Sequence, residues 1–178
     1  HFNAYYIGKV GKLSVDFNAT YYWKRSGRIM HMCEQGTDLE SRDVHTQSSQ
    51  HGRMSAAKLV LSYPLWSGTL SAGSELSSSN TLGRYNNDEQ YVDASNTEIR
   101  ERNIAGFAEY ALNLGSLSVG AGVRYEHITS RYYTYGQWQE QPSRRYADWF
   151  PSASLSWSKG KWSWQLGYTR KTHRPSYN

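Results

Sequence analysis

Nowhere in this sequence do apolar residues run for the roughly 18 positions that a membrane-spanning helix needs. Helical periodicity is nearly absent too. A bilayer crossing, if there is one, has to be made by strands. Other scarcities narrow the reading further. The single cysteine, Cys33, excludes any disulfide within the chain. The formal charge of +5 is spread thinly, with no basic run longer than a pair, as at Lys24-Arg25, Arg144-Arg145 and Arg170-Lys171. Phosphate binding uses a continuous basic track, so nucleic acid is not an expected partner. Phe (4) and Met (3) are few, and a hydrophobic fraction of 38% is low for a compact core. What the chain has instead is Tyr (15) and Trp (7). These rings carry an apolar body and a polar tip, and suit sugar-binding surfaces, protein interfaces and the water boundary of a membrane.

Alternation dominates. Leu13, Val15, Phe17, Ala19, Tyr21 and Trp23 fall on one face of a strand, and Ser14, Asp16, Asn18, Thr20, Tyr22 and Lys24 on the other. Leu59–Tyr63, Leu70–Leu76, Leu117–Glu126, Ala153–Trp157 and Trp162–Thr169 repeat the pattern. In Ile104–Leu112, Glu109 shares a face with Phe107 and is expected inward, with Ala108 and Tyr110 outward. Arg170 breaks the rule at a strand end, where its long side chain can reach an interface. The expected fold is all-β: an antiparallel up-and-down meander of about eight strands, one segment of a transmembrane β-barrel spanning residues 1–178.

The connections are two-sided. Four are short, at Lys9–Lys12, Leu65–Gly68, Asn113–Ser116 and Ser158–Lys161, each with a glycine to supply positive φ. Three long polar stretches, Arg25–Arg53, Asn80–Arg102 and Ile128–Tyr146, are expected as loops. Short and long alternate strictly, which puts all turns at one end and all loops at the other, as in outer-membrane barrels. Aromatics form two candidate belts: Tyr63, Trp66, Trp157 and Trp162 near the turns, and Tyr21, Trp23, Tyr132 and Tyr133 toward the loops. A soluble β-sandwich also alternates, so a carbohydrate-binding module remains an alternative. A complete small eight-stranded barrel with a structural or adhesive role is another.

Three ordered segments then carry a resemblance: Gly122–His127, Asp148–Trp157 and Gly167–Tyr177, the last reading Gly-Tyr-Thr-Arg-Lys-Thr-His-Arg-Pro-Ser-Tyr. Their order and spacing resemble the barrel of TonB-dependent outer-membrane receptors, within them the outer-membrane β-barrel family. The resemblance implies a parent of about 22 strands with a plug in its lumen. It also implies nutrient uptake driven through TonB from a region outside this chain. Both ends fall inside strand-like segments, so the chain is expected to be a piece of that parent lacking the plug. Its expected partners are outer-membrane lipid, the plug of the same parent, TonB and an unidentified nutrient. Outside lipid, such a piece exposes an apolar face and two strand edges, and self-association is expected.

Catalytic chemistry is not indicated. There is no G-x-S-x-G elbow, a barrel-embedded hydrolase is the lesser reading, and no cofactor is expected. Met30-His31-Met32-Cys33, with His45 and His51, is a set of soft ligands whose spacing matches no established metal pattern, so no metal site is assigned. Arg124 and Glu126 should face the lumen, either contacting plug or substrate or forming a cross-strand ion pair. Tyr132, Tyr133, Tyr135 and Trp138 are candidates to stack on a ligand, or else members of the upper belt.

Overall fold

The computed structural model describes residues 1–36, 39–88 and 93–170. Eight strands follow one another: β1 (Phe2–Val10), β2 (Leu13–Gly36), β3 (Leu39–Leu65), β4 (Gly68–Asn87), β5 (Ser95–Leu114), β6 (Leu117–Thr134), β7 (Gln137–Lys159) and β8 (Trp162–Thr169). They form one antiparallel sheet in chain order, the expected meander. Each strand pairs only with its sequence neighbours. β1 and β8 do not touch, so the described sheet is open.

Opposed residues in an antiparallel pair share a face, so register turns local alternation into two continuous surfaces. One row runs Val15, Leu61, Ala72, Ala108, Val123, Pro151 across six strands, and another runs Tyr63, Leu70, Tyr110, Ala121, Ala153, Tyr168. On the opposite face a row reads Asn18, Lys58, Glu75, Ala105, Glu126, Asp148. Glu109 lies opposite Ser71 and Gly122 on this polar face, while Ala108 and Tyr110 lie on the apolar one, as expected. The apolar stripe covers Leu117–Tyr125 on β6, close to the 9–11 residues a tilted strand needs to cross hydrocarbon.

There is no second layer to cover that stripe. Among the described residues Ala105 is the only buried hydrophobic one, while Val10, Trp164 and Leu166 are each about two-thirds exposed or more. A soluble sandwich buries one sheet face against another, and this chain has a single sheet, so the carbohydrate-module alternative is not what the chain folds into.

Two of the expectations are corrected. The four short turns are two-residue hairpins, with left-handed φ at Gly11 (62°), Gly115 (62°), Gly160 (62°) and, between β3 and β4, at Trp66 (54°) rather than at Gly68. Gly68 lies inside β4, where a Cβ would meet the Tyr110 ring at 2.7 Å. The stretches expected as loops are strands for most of their length. β2 and β3 stay paired out to Gly36 and Leu39, β4 and β5 reach Asn87 and Ser95, and β6 and β7 close in a two-residue turn at Tyr135 and Gly136, both left-handed. Beyond the apolar stripe both faces meet water, so alternation ends although the backbone ladder, which needs no particular side chain, continues. Of the third motif, Lys171–Tyr177 lies outside the described residues.

Candidate functional site

The polar face carries a charge chain at the level of the apolar stripe. Arg124 on β6 donates through Nε to Glu126 Oε1 at 2.7 Å and through Nη2 to Glu75 Oε2 at 2.5 Å. Lys58 Nζ on β3 is 3.0 Å from Glu75 Oε1. Arg124 thus reaches across β5 to β4, and the register explains how. Between Glu75 and Glu126 stands Ala105, 1% exposed, too small to obstruct the guanidinium. One row on, Phe107 lies opposite Gly73 and Arg124. Its ring fills the space a Cβ on Gly73 would need, at 2.6 Å, and lies 5.8 Å from Lys58 Nζ and 6.0 Å from the Arg124 guanidinium. Alternating signs and cation–π contact let four charges share a partly buried surface without an unbalanced one.

Arg124 and Glu126 are brought together along one strand, and the cross-strand partner of Arg124 is Glu75, so the two are held in a larger network. Lys58 and Glu75 were not singled out from sequence. Their polar-face positions were legible, but their pairing depends on the register of three strand pairs.

Above the stripe, the four aromatic candidates are divided between faces. Tyr132 lies on the polar face, opposite Ile99 and Gln139, and Tyr133 on the other, opposite Glu98 and Trp138. A four-residue bulge in β7 places Glu140–Ser143 against Arg131, between the pairs Tyr132–Gln139 and Ser130–Arg144. Ser143 closes it: its hydroxyl accepts from the Tyr132 amide (3.1 Å) and Trp138 Nε1 (3.0 Å) and donates to the Gln139 carbonyl (2.6 Å). Tyr133 is capped by Arg100, 4.7 Å from its ring centroid. Arg100 donates to both oxygens of Glu98 (2.7 and 3.0 Å), which also accepts from Asn80 at 2.8 Å. These bonds, that of Arg100 first, hold the Glu98 carboxyl below the usual carboxylate range. The Tyr135 hydroxyl donates to the Ala94 carbonyl.

Of the expected upper belt Tyr21 and Trp23 stand together, and Tyr125 and Trp149 rather than Tyr132 and Tyr133 accompany them. Tyr21 and Trp23 have centroids 5.8 Å apart, and Tyr125 and Trp149, opposed across β6 and β7, 4.8 Å apart, all four on the apolar face. Tyr133 stands eight residues past Tyr125, about 26 Å further along the strand. Tyr132 and Tyr133 thus stand beyond that belt. Trp149 sat in a motif, and only register revealed its partner.

A second feature of the polar face lies above the stripe, an open cavity of about 560 Å³ lined among others by Lys24, Arg28, Ser48, Gln50, Tyr85 and Thr97. Among the described residues no carboxylate lines it. Its chemistry, cations with hydroxyl and amide groups, suits an anionic or polyhydroxylated ligand.

Residues 8–178 match the model of the outer membrane protein beta-barrel family, and the chain belongs to that family. It is an outer-membrane protein, as the three motifs led one to expect. No curated protein matches the sequence significantly. Among solved structures, the copper transporter OprC is similar over 98% of this chain and 30% of its own (12% identity, TM-score 0.70). The ferric yersiniabactin uptake receptor FyuA from Yersinia pestis is similar over 87% and 25% (12%, 0.66). FpvA of P. aeruginosa bound to heterologous pyoverdines is similar over 88% and 24% (16%, 0.57). At these identities the likeness is one of fold. The chain spans between about a quarter and a third of the length of these proteins.

Proposed function

We propose that residues 1–178 are one plug-free arc of the wall of a larger receptor barrel, which takes up a scarce nutrient across the outer membrane without enzymatic chemistry. In this reading the parent chain supplies a plug, and TonB drives its movement. The observation that carries the reading is the sheet itself: open, apolar on one face, and on the other lined by a balanced charge chain of the kind a water-filled, plug-bearing lumen accommodates. The similar folds belong to proteins named as a copper transporter and a ferric yersiniabactin uptake receptor, each three to four times as long as the matched segment. Arg124 and Glu126 then face the lumen, with the Lys58–Glu126 network in reach of the plug. The Lys24–Arg28 cavity, together with Tyr132, Tyr133, Tyr135 and Trp138, forms part of the outer ligand-receiving surface.

Two experiments on the parent protein test this. Ligand-dependent growth or uptake in hosts with and without TonB should differ, and equal uptake in both removes the energised-receptor reading. In a Cys33→Ser background, the pair Tyr6→Cys and Leu166→Cys, both on the apolar face, should give no intramolecular cross-link. A high-yield cross-link between β1 and β8 would establish a closed eight-stranded barrel instead.

A further inference from the structure

The β2–β3 hairpin is the longest in the sheet, and its far part has no third strand. Pairing of β3 with β4 ends at Thr46 and Asn87, whereas β2 and β3 remain paired from His31–His45 out to Gly36–Leu39. A two-stranded ribbon standing alone in water is marginal. At the point where β4 ends, four metal-ligating side chains share one face. His31 is opposed to His45, and two residues further out Cys33 is opposed to Asp43. The two imidazoles are already in contact, edge to face, with centroids 4.5 Å apart. Cys33 and Asp43 are joined as well, by a side-chain hydrogen bond across the ladder.

The register also sorts the soft-ligand cluster seen in the sequence. Met30 and Met32 alternate onto the opposite face, and His51 lies six residues from His45, about 20 Å along the strand. Asp43, which the sequence did not recommend, takes their place.

We propose that His31, Cys33, Asp43 and His45 form a binding site for one borderline divalent cation of the Zn²⁺ class, clipping the two strands of this ribbon together. Two neutral imidazole nitrogens, one thiolate and one carboxylate make a complete tetrahedral donor set, whose two negative charges balance the cation. Opposed pairs two residues apart form a rectangle about 5 Å by 7 Å, small enough for bonds of about 2.0–2.3 Å to meet above its centre. Among the described residues no three such groups yet surround one point. Ligation therefore turns side chains about their χ angles on a backbone already in register. The thiol proton leaves to solvent as the cation binds. With all four positions filled by protein, the site is a closed one. It depends on this hairpin alone, so a failure of the receptor reading leaves it standing, and the reverse holds too.

The test uses the folded parent protein in detergent, stripped with chelator and titrated with Co²⁺ and then Zn²⁺ alone. The expected result is one Co²⁺ per chain, with intense tetrahedral d–d bands and a thiolate-to-cobalt charge-transfer band, both bleached by Zn²⁺. Cys33→Ser should remove the charge-transfer band and keep weaker binding. The pair His31→Ala with His45→Ala should weaken binding by at least the roughly hundredfold that losing a supporting residue of a metal site can cost. His51→Ala should change nothing. These side chains lie on an exposed ribbon, so heat-modifiable gel mobility should stay that of the folded barrel for every variant. A folded protein that binds no Co²⁺, a spectrum without the thiolate band, or affinity unchanged in the double histidine variant each overturns the proposal.

Discussion

Between Leu117 and Tyr125 strand β6 alternates an apolar side chain with a small or charged one, while between Ile128 and Thr134 the same strand carries polar groups on both faces. Other strands of the sheet change at a similar height: β3 from Leu59 and Leu61 to Arg53 and His51, β5 from Ile104 to Arg102 and Arg100. Strand, ladder and register are continuous through the change. What differs is the number of solvents. In the receptor reading the two faces at membrane level meet lipid and water, and every outward position is constrained. Above it both faces meet water, and side chains are released to make bulges, caps and binding surfaces. The charges follow the same division. At membrane level Lys58, Glu75, Arg124 and Glu126 share one face as a chain of partners, whereas in the upper half charges occur on both faces.

That contrast can be broken most strongly by putting charge on the lipid side. Val123→Arg, in the apolar row with Ala108 and Pro151, should cost about 2–4 kcal/mol of folding free energy in bilayers, while Thr129→Arg on the same face six residues higher should cost at most about 1 kcal/mol. Denaturant titration of the parent in vesicles measures both, and equal costs would erase the distinction. Next in size is Ala105→Leu. A larger side chain there separates Arg124 from Glu75 and overpacks the row, at about 1–3 kcal/mol, and the same change at exposed Ala94 should be nearly silent. Ser143→Ala sharpens the upper half alone. Its loss should cost about 1 kcal/mol or somewhat more and broaden the Trp138 fluorescence response, with membrane insertion unchanged.

The smallest effect concerns pH. Glu98 is depressed in the folded state by Arg100 and Asn80. On acidification the unfolded chain therefore takes up the proton first. The stabilisation is complete above the ordinary carboxylate range and is lost as pH falls through the lower folded value. Amide exchange in the β5–β6 extension should speed up in that acid window relative to the membrane-level amides, and Arg100→Gln should remove the difference. Acceleration at rising pH beyond the intrinsic exchange rate would contradict the sign.

How much of this could be read from the residues follows the same division. The strands at membrane level, their faces and even the inward placement of Glu109 were legible, because two solvents write a period-two pattern. The extensions were read as loops because that pattern stops where the second solvent does, although the ladder goes on. Arg124 and Glu126 were legible as residues of one face, being two apart on one strand, though not as partners of each other. Lys58 and Glu75 were not, since their meeting depends on how far each hairpin slides, and a one-residue slip would reverse every face. Trp66 could not be identified as the left-handed residue of its turn while Gly68 stood nearby as the better conformational candidate. The His31–His45 contact was hidden for a similar reason: opposed positions 14 residues apart become neighbours only when the length of the hairpin is known.

The central claim, that one face of this sheet meets lipid and the other a water-filled lumen, is tested most directly by scanning single cysteines from Leu117 to Glu126 along β6. The parent protein would carry Cys33→Ser and be placed in lipid vesicles. The account predicts strict alternation: labels at 119, 121 and 123 quenched by lipid-borne probes, and positions 120, 122, 124 and 126 reached by water-soluble thiol reagents. Equal aqueous access on both sets of positions would contradict it.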